Sequence, residues 1–231
     1  MTIKHQLIDI IKYSRAQCTL PIQVTLKYAT SDNFIGHVID GYHTNAVHLG
    51  LLTSKPLQQL CEVQEHLLVN YGCTLLVYDA YRPLRAVKYM VRWCEQTNDD
   101  EIDLPTKMKY FPAVEKRQLL NLGYLAAEVS SHCYANTVDV VLADMVTGEP
   151  LNMGSAFDCF DPISHTNADI KTIGADAHRH RYILKSAMQR FGFISYEKEY
   201  WHFEFSEKEI DKPLDVPVAL DVLTSQDKII F

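Results

Sequence analysis

The most strand-like stretch of this chain has a carboxylate in its middle. Residues 137–143 read Thr-Val-Asp-Val-Val-Leu-Ala, β-branched and apolar apart from Asp139, and a turn signal follows over 144–148. A charge flanked by Val138, Val140 and Val141 is costly to bury unless another group pairs with it or a metal ion binds it. A fold that buries this strand must therefore bring a partner to Asp139.

Helices and strands are interspersed around it. Residues 56–71 put Leu57, Leu60, Cys61, Gln64, Leu67 and Leu68 largely at helical spacing, with Gly72 at the C-terminal stop. A short strand is predicted over 74–78, and a second helix from Arg82-Pro83 to about Gln96, with Pro83 in its first turn. A short helix is predicted over 112–122, closed by Gly123. A long one is predicted over 176–191, with Tyr182, Ile183, Ala187 and Phe191 on one face and Gly192 at its end. Residues 193–196 and 200–205 read as two strands joined by a charged turn; in the second, Trp201, Phe203 and Phe205 alternate with His202 and Glu204. This pattern predicts an α+β fold with a small, mainly antiparallel sheet flanked by helices. No repeat or Gly/Ser linker divides the 231 residues, so residues 1–231 are expected to form a single domain, with 206–231 as an extended C-terminal tail carrying Pro213 and Pro217.

Charge and cysteine usage narrow the setting. There are 22 Lys and Arg against 29 Asp and Glu, a formal charge of −7, which argues against nucleic-acid or anionic-membrane partners because both need a basic footprint. No apolar run approaches the ~18 residues of a membrane span. Asp9, Lys12 and Arg15 fall where a signal peptide needs an unbroken apolar stretch. The six cysteines (Cys18, Cys61, Cys73, Cys94, Cys133, Cys159) are scattered singly and read as free thiols, so a cytoplasmic protein is expected. Oligomeric state leaves no mark in the sequence.

Three segments concentrate groups that are costly to bury alone: residues 129–142 with Ser130, Ser131, His132 and Asp139; residues 196–205 with Glu199 and His202; and residues 77–85 with Asp79, Arg82 and Arg85. His132 and Asp139 are seven apart, so one regular strand would point them to opposite faces. A turn at 134–136 removes that conflict. His132, Asp139 and His202 together offer two nitrogens and one oxygen, a donor set suited to catalytic zinc with one position open, at the sheet. Glu199, three residues before His202, could serve as a general base toward a water that the metal has acidified. Arg82, fixed by the proline after it, could face a developing oxyanion. Each piece alone is weak: a lone histidine on a strand is more often structural, and a buried aspartate pairs with arginine about as often as it binds metal. His178 and His180, two apart on a helix, are badly placed to share a metal, and they are read with His5, His37, His43, His48, His66 and His165 as exposed or structural.

Taken together, Ser130-Ser131-His132, Asp139, Glu199-Tyr200-Trp201-His202 and Tyr81-Arg82-Pro83 resemble the VanX-type D-alanyl-D-alanine dipeptidases, a branch of the zinc D,D-peptidases. That family's pattern is S-x-H-x-x-G-x-A-x-D followed far downstream by E-x-W-H. Lys27-Tyr28-Ala29-Thr30, Tyr110-Phe111-Pro112, Asn152-Met153-Gly154-Ser155-Ala156-Phe157-Asp158 and Gly192-Phe193 extend the likeness over about residues 20–205. The resemblance implies one zinc per chain on His132, Asp139 and His202, Glu199 as general base and then acid, and Arg82 stabilising the tetrahedral intermediate. It further implies that Asp158 and Tyr28 hold the substrate's ammonium and that Ser130 and Ser131 hold its carboxylate. Two positions depart from the pattern: its glycine is Ala135 and its alanine Thr137. A positive φ at Ala135 would cost roughly 1–2 kcal/mol. The implied activity is hydrolysis of the free dipeptide D-Ala-D-Ala. The alternatives are a zinc carboxypeptidase or endopeptidase acting on longer cell-wall peptides, and a non-catalytic zinc- or peptide-binding protein on the same scaffold.

Overall fold

The computed structural model describes residues 7–96 and 102–220. In chain order the elements are β1 (Ile8–Asp9), α1 (Ile10–Gln17), β2 (Gln23–Val24), β3 (Leu51–Leu52), α2 (Ser54–Tyr71), β4 (Cys73–Asp79), α3 (Leu84–Glu95), α4 (Leu104–Tyr110), β5 (Thr137–Asp144), α5 (Ile170–Ile173), α6 (Ala175–Arg190), β6 (Phe193–Ser195) and β7 (His202–Phe205). Among the described residues a five-stranded sheet runs in the order β2-β4-β5-β7-β6, with β2 parallel to β4 and every other pair antiparallel; β1 and β3 form a separate antiparallel pair. The α+β fold with a mainly antiparallel sheet is therefore the one the alternation of elements predicts.

Strand β4 is buried throughout and β5 as far as Ala143, which is why both read as apolar runs and not as alternating ones. Helix α2 packs on β4, helix α6 packs on β5 and β6, and the two helices touch each other. The register across the sheet does the positioning. Asp139 lies opposite Asp79 on one side and opposite His202 on the other, with an irregularity in β4 between Val77 and Asp79 that brings Asp79 into line. Residues directly opposite in an antiparallel pair share a face, so three ionisable side chains from three strands project together.

The structure corrects several details. Residues 112–122 do not form a helix; they make one short 3-10 turn (Lys116–Gln118) followed by further turns. Leu119 and Lys116 are the only fully buried side chains there, so the segment has no apolar stripe to pack. In α6 Ile183 and Ala187 are buried as the spacing predicts, but Tyr182 is exposed, and the buried face also takes in Ala177, Arg181, Leu184 and Met188. Helices α1 and α4 were not marked by the sequence pattern. Of the C-terminal segment, residues 206–218 run without helix or strand and are tied back: Leu214 N–H donates to the Cys133 carbonyl (2.9 Å), and Val218 bridges Tyr42. Residues 221–231 and His5 lie outside the described residues. Among the described residues no helix is long and apolar enough to cross a membrane.

The reversal from α2 into β4 depends on Gly72, which caps the helix in the left-handed conformation at φ 63°. A Cβ there would meet nothing within 4 Å, so the cost of a side chain is conformational alone. Gly72→Ala should lower unfolding free energy by about 1 kcal/mol and the melting temperature by about 2–4 °C, measured by urea and thermal denaturation.

Candidate active site

His132 reaches the sheet from a 3-10 turn (Ser131–Tyr134) that Ser130 begins, its Oγ accepting the His132 N–H at 3.4 Å. Ala135 ends the turn at φ 54°, the left-handed conformation that a glycine would adopt without strain. Its carbonyl accepts both the N–H (2.9 Å) and the hydroxyl (3.2 Å) of Thr53, and its methyl is fully buried, so packing and hydrogen bonds hold the strained residue in place. The chain then enters β5, with Asp139 in its third position.

Three ligand-type atoms converge. His132 Nε2 lies 3.3 Å from His202 Nδ1 and 3.3 Å from Asp139 Oδ1, and His202 Nδ1 lies 3.1 Å from Asp139 Oδ1. Zinc bonds of about 2.0–2.2 Å in a tetrahedral arrangement put neighbouring ligands about 3.3–3.6 Å apart, so the triangle suits such an ion with little adjustment. Each ligand is also oriented from behind. His132 Nδ1–H donates to the Ala80 carbonyl (2.6 Å), leaving Nε2 to face the cluster. His202 Nε2 meets Ser131 Oγ at 3.4 Å, and Arg82 Nη2 donates to the outer oxygen of Asp139 at 3.2 Å. These residues could hold a metal ion.

Arg82 is itself clamped. Its Nε donates to Asp79 Oδ2 (2.8 Å), Tyr42 O–H donates to Asp79 Oδ1 (2.7 Å), and the guanidinium lies 4.9 Å from the centre of the Tyr28 ring. Tyr28 O–H donates to Asp158, 3.0 and 3.2 Å from its two oxygens. Asp158 is buried at φ 59°, a conformation uncommon for a residue with a side chain. Glu199 is buried beside the cluster, with Oε2 3.7 Å from His202 Nδ1. All nine side chains expected at the site (Tyr28, Arg82, Ser130, Ser131, His132, Asp139, Asp158, Glu199 and His202) line one cavity of about 390 Å³. Its far wall is the irregular segment of residues 123–129, held by Tyr196 O–H donating to the Gly123 carbonyl (2.7 Å) and Tyr124 O–H meeting His165 (3.1 Å).

Electrostatics separate these carboxyls. Burial lifts Glu199 well above the usual carboxyl range, and the negative charges of Asp139 and Asp158 lift it further. Burial, then Asp139, does the same to Asp158. Burial also raises Asp79 despite its arginine. Asp139 goes the other way: burial opposes its charge, but the two imidazoles outweigh burial and hold it below the usual range. Burial lowers His202, favouring the neutral ring that a metal ligand needs. The cavity thus gathers more acid than one guanidinium balances, which suits it to cations.

Sequence reasoning grouped Asp79 with Arg82 without giving it a site role. Its signal was there: an aspartate ending a largely apolar strand, three residues before an arginine. Arg85, from the same segment, turns to the surface and pairs with Asp215 (3.0 Å).

Ligand-type atoms converging beside a buried second carboxylate suit a metal-dependent hydrolase, and comparison with known proteins gives the class. The chain belongs to the peptidase M15 family, described as D-ala-D-ala dipeptidase, whose model matches residues 13–218. It is 40% identical to the D-alanyl-D-alanine dipeptidase of Enterococcus faecalis over 188 residues, 81% of this chain and 85% of that one. It is 38% identical to that of Streptomyces coelicolor over 84% of this chain and 91% of the relative. To that of Escherichia coli it is 27% identical, over 80% of each.

Removing Asp79 would leave the buried Arg82 with a single carboxylate. Asp79→Ala should cost about 3 kcal/mol of stability in urea denaturation; a loss below about 1 kcal/mol would show that Asp139 alone suffices to hold the guanidinium.

Proposed function

We propose that this chain is a zinc dipeptidase hydrolysing D-Ala-D-Ala to two molecules of D-alanine, with one zinc per chain. One observation carries the reading. The cavity that holds the ligand triangle also holds two further buried carboxylates, Glu199 and Asp158, neither within salt-bridge distance of a lysine or arginine among the described residues. One is suited to moving protons and the other to receiving a substrate cation.

In this reading His132, Asp139 and His202 would hold the zinc, which would supply Lewis-acid chemistry, polarising a carbonyl and making water more acidic. Glu199 takes a proton from the attacking water at its carboxylate and passes it to the leaving nitrogen. Its raised affinity for a proton, caused by burial, makes it a stronger acceptor in the first half of that transfer. Arg82 keeps its charge throughout and, clamped by Asp79 and Asp139, stabilises a developing oxyanion without reorganising. Asp158 pairs with the substrate ammonium. Tyr28 spends its hydrogen on Asp158, so its oxygen lone pairs remain to accept from the same ammonium. Ser130 and Ser131 bind the terminal carboxylate; with Ser131 Oγ accepting from His202, its own hydrogen is available to donate.

The same charges argue for a free dipeptide. A zwitterion pairs both of its ends, whereas an N-acylated peptide would leave Asp158 without a cation, a penalty of several kcal/mol. The family match over residues 13–218 supports treating the chain as one peptidase domain. Cys18, Cys61, Cys73, Cys133 and Cys159 stand as free thiols, which supports residence in a reducing cytoplasm.

The zinc-loaded protein should release D-alanine from D-Ala-D-Ala and not from the N-acetylated dipeptide. Release from both would indicate a carboxypeptidase, and release from neither a binding protein. Glu199→Ala should retain one zinc per chain by elemental analysis while turnover falls at least ~10³-fold; unchanged turnover would remove Glu199 from the mechanism.

A further inference from the structure

Arg181 is a guanidinium buried in α6 at 4% exposure, and among the described residues no carboxylate bonds it. Its partners are backbone carbonyls and one hydroxyl: Nε donates to Met153 O (2.6 Å), Nη1 to Ile163 O (2.9 Å) and His165 O (3.0 Å), and Nη2 to Ser155 Oγ (3.3 Å). Burial lowers its pKa to about 10, so it still carries its charge at neutral pH. A helix that only needed to pack would bury an apolar residue at this position, since an apolar side chain carries no desolvation penalty. A planar fork of donors can do what an apolar side chain cannot, which is to hold several carbonyls at once in fixed directions.

The carbonyls it holds come from the two ends of one loop. Met153 and Ser155 lie at its start, Ile163 and His165 at its finish, and a hydroxyl contact from Ser155 to Ser164 (2.8 Å) closes the same neck. Between them runs the irregular stretch that carries Asp158 at its positive φ into the cavity. The guanidinium also stacks on Tyr200, 4.1 Å from the ring centre, and Tyr200 O–H donates to the Ser155 carbonyl (2.9 Å). Tyr200 adjoins Glu199 in sequence. The loop neck is therefore referenced to the chain segment that bears Glu199 and His202.

The geometry points to Arg181 as a positioning residue for substrate recognition: by pinning both ends of the 153–165 loop against Tyr200, it sets where Asp158 stands relative to Glu199. This rests on Asp158 receiving the dipeptide's ammonium, as in the function proposed above. A positioning residue of this kind acts on ammonium binding and not on proton transfer.

The test is steady-state kinetics of the zinc-loaded full chain on D-Ala-D-Ala, comparing wild type, Arg181→Lys, Asp158→Asn and the double variant. Lysine keeps the buried charge but cannot fork. Arg181→Lys should raise KM about tenfold with kcat within about threefold and zinc content unchanged. In the Asp158→Asn background the same change should raise KM by less than about twofold, because the group it positions is already disabled. An unchanged KM, a fall in kcat alone, or full additivity with Asp158→Asn would overturn the inference and leave Arg181 a packing residue. Should Arg181→Lys not fold, Ser155→Ala removes one bond of the clamp, and an unchanged KM in that variant overturns the inference equally. Wild-type protein without turnover would overturn the proposed activity and this inference together; normal wild-type turnover with an unaltered variant overturns the inference alone.

Discussion

Buried negative charge around Asp139 is the constraint on which the rest of this structure depends. Asp79, Asp139, Asp158 and Glu199 are all buried around one site, and one guanidinium, Arg82, bridges two of them. Carboxylates concentrated in this way repel one another, and the consequence differs from group to group. Asp139, flanked by two imidazoles, stays charged below the usual range, whereas Glu199 and Asp158 are pushed toward protonation. In the function proposed above, this separation divides the labour among a carboxylate for the metal ion, one for proton transfer and one for the substrate cation.

That arrangement is inherited from sheet geometry. Asp79, Asp139 and His202 are cross-strand neighbours on three adjacent strands, so their convergence needs no flexible loop and little side-chain entropy. Loops supply the remainder, and each is over-determined where it is strained. Ala135 in its left-handed conformation is fixed by Thr53 and by burial of its methyl. Asp158 in the same conformation belongs to a loop whose two ends meet on Arg181. Local strain of this kind costs about 1–3 kcal/mol and persists only where surrounding contacts leave no alternative.

Much of this was legible in the residues themselves. Helices α2 and α6 and strands β4, β5, β6 and β7 announced themselves through 3.6- and 2-residue periodicity and glycine stops, because burying an apolar face leaves that mark on composition. His132, Asp139, His202 and Glu199 could be picked out because charged or titratable groups amid apolar neighbours are too costly to be incidental. The failures share a cause as well. In α6 Ile183 and Ala187 are buried as their spacing predicts, but the buried face also passes through Arg181, a cation that pattern reading assigns to solvent, while Tyr182 is exposed. The 112–122 segment held scattered apolar residues that suggested a helix, but only Leu119 among them is fully buried.

By itself, then, the sequence determined the order and type of the main elements, the family and the donor set, since each is written in side-chain chemistry and local spacing. Only the tertiary structure decided that the β4 irregularity aligns Asp79 with Asp139, that the Ala80 carbonyl turns His132, and that Arg181 gathers carbonyls from both ends of one loop. These are relations between residues as far apart in sequence as Asp79 and Asp139, carried largely by backbone groups. Every residue has the same carbonyl, so nothing in the side-chain code marks which one a distant group will find.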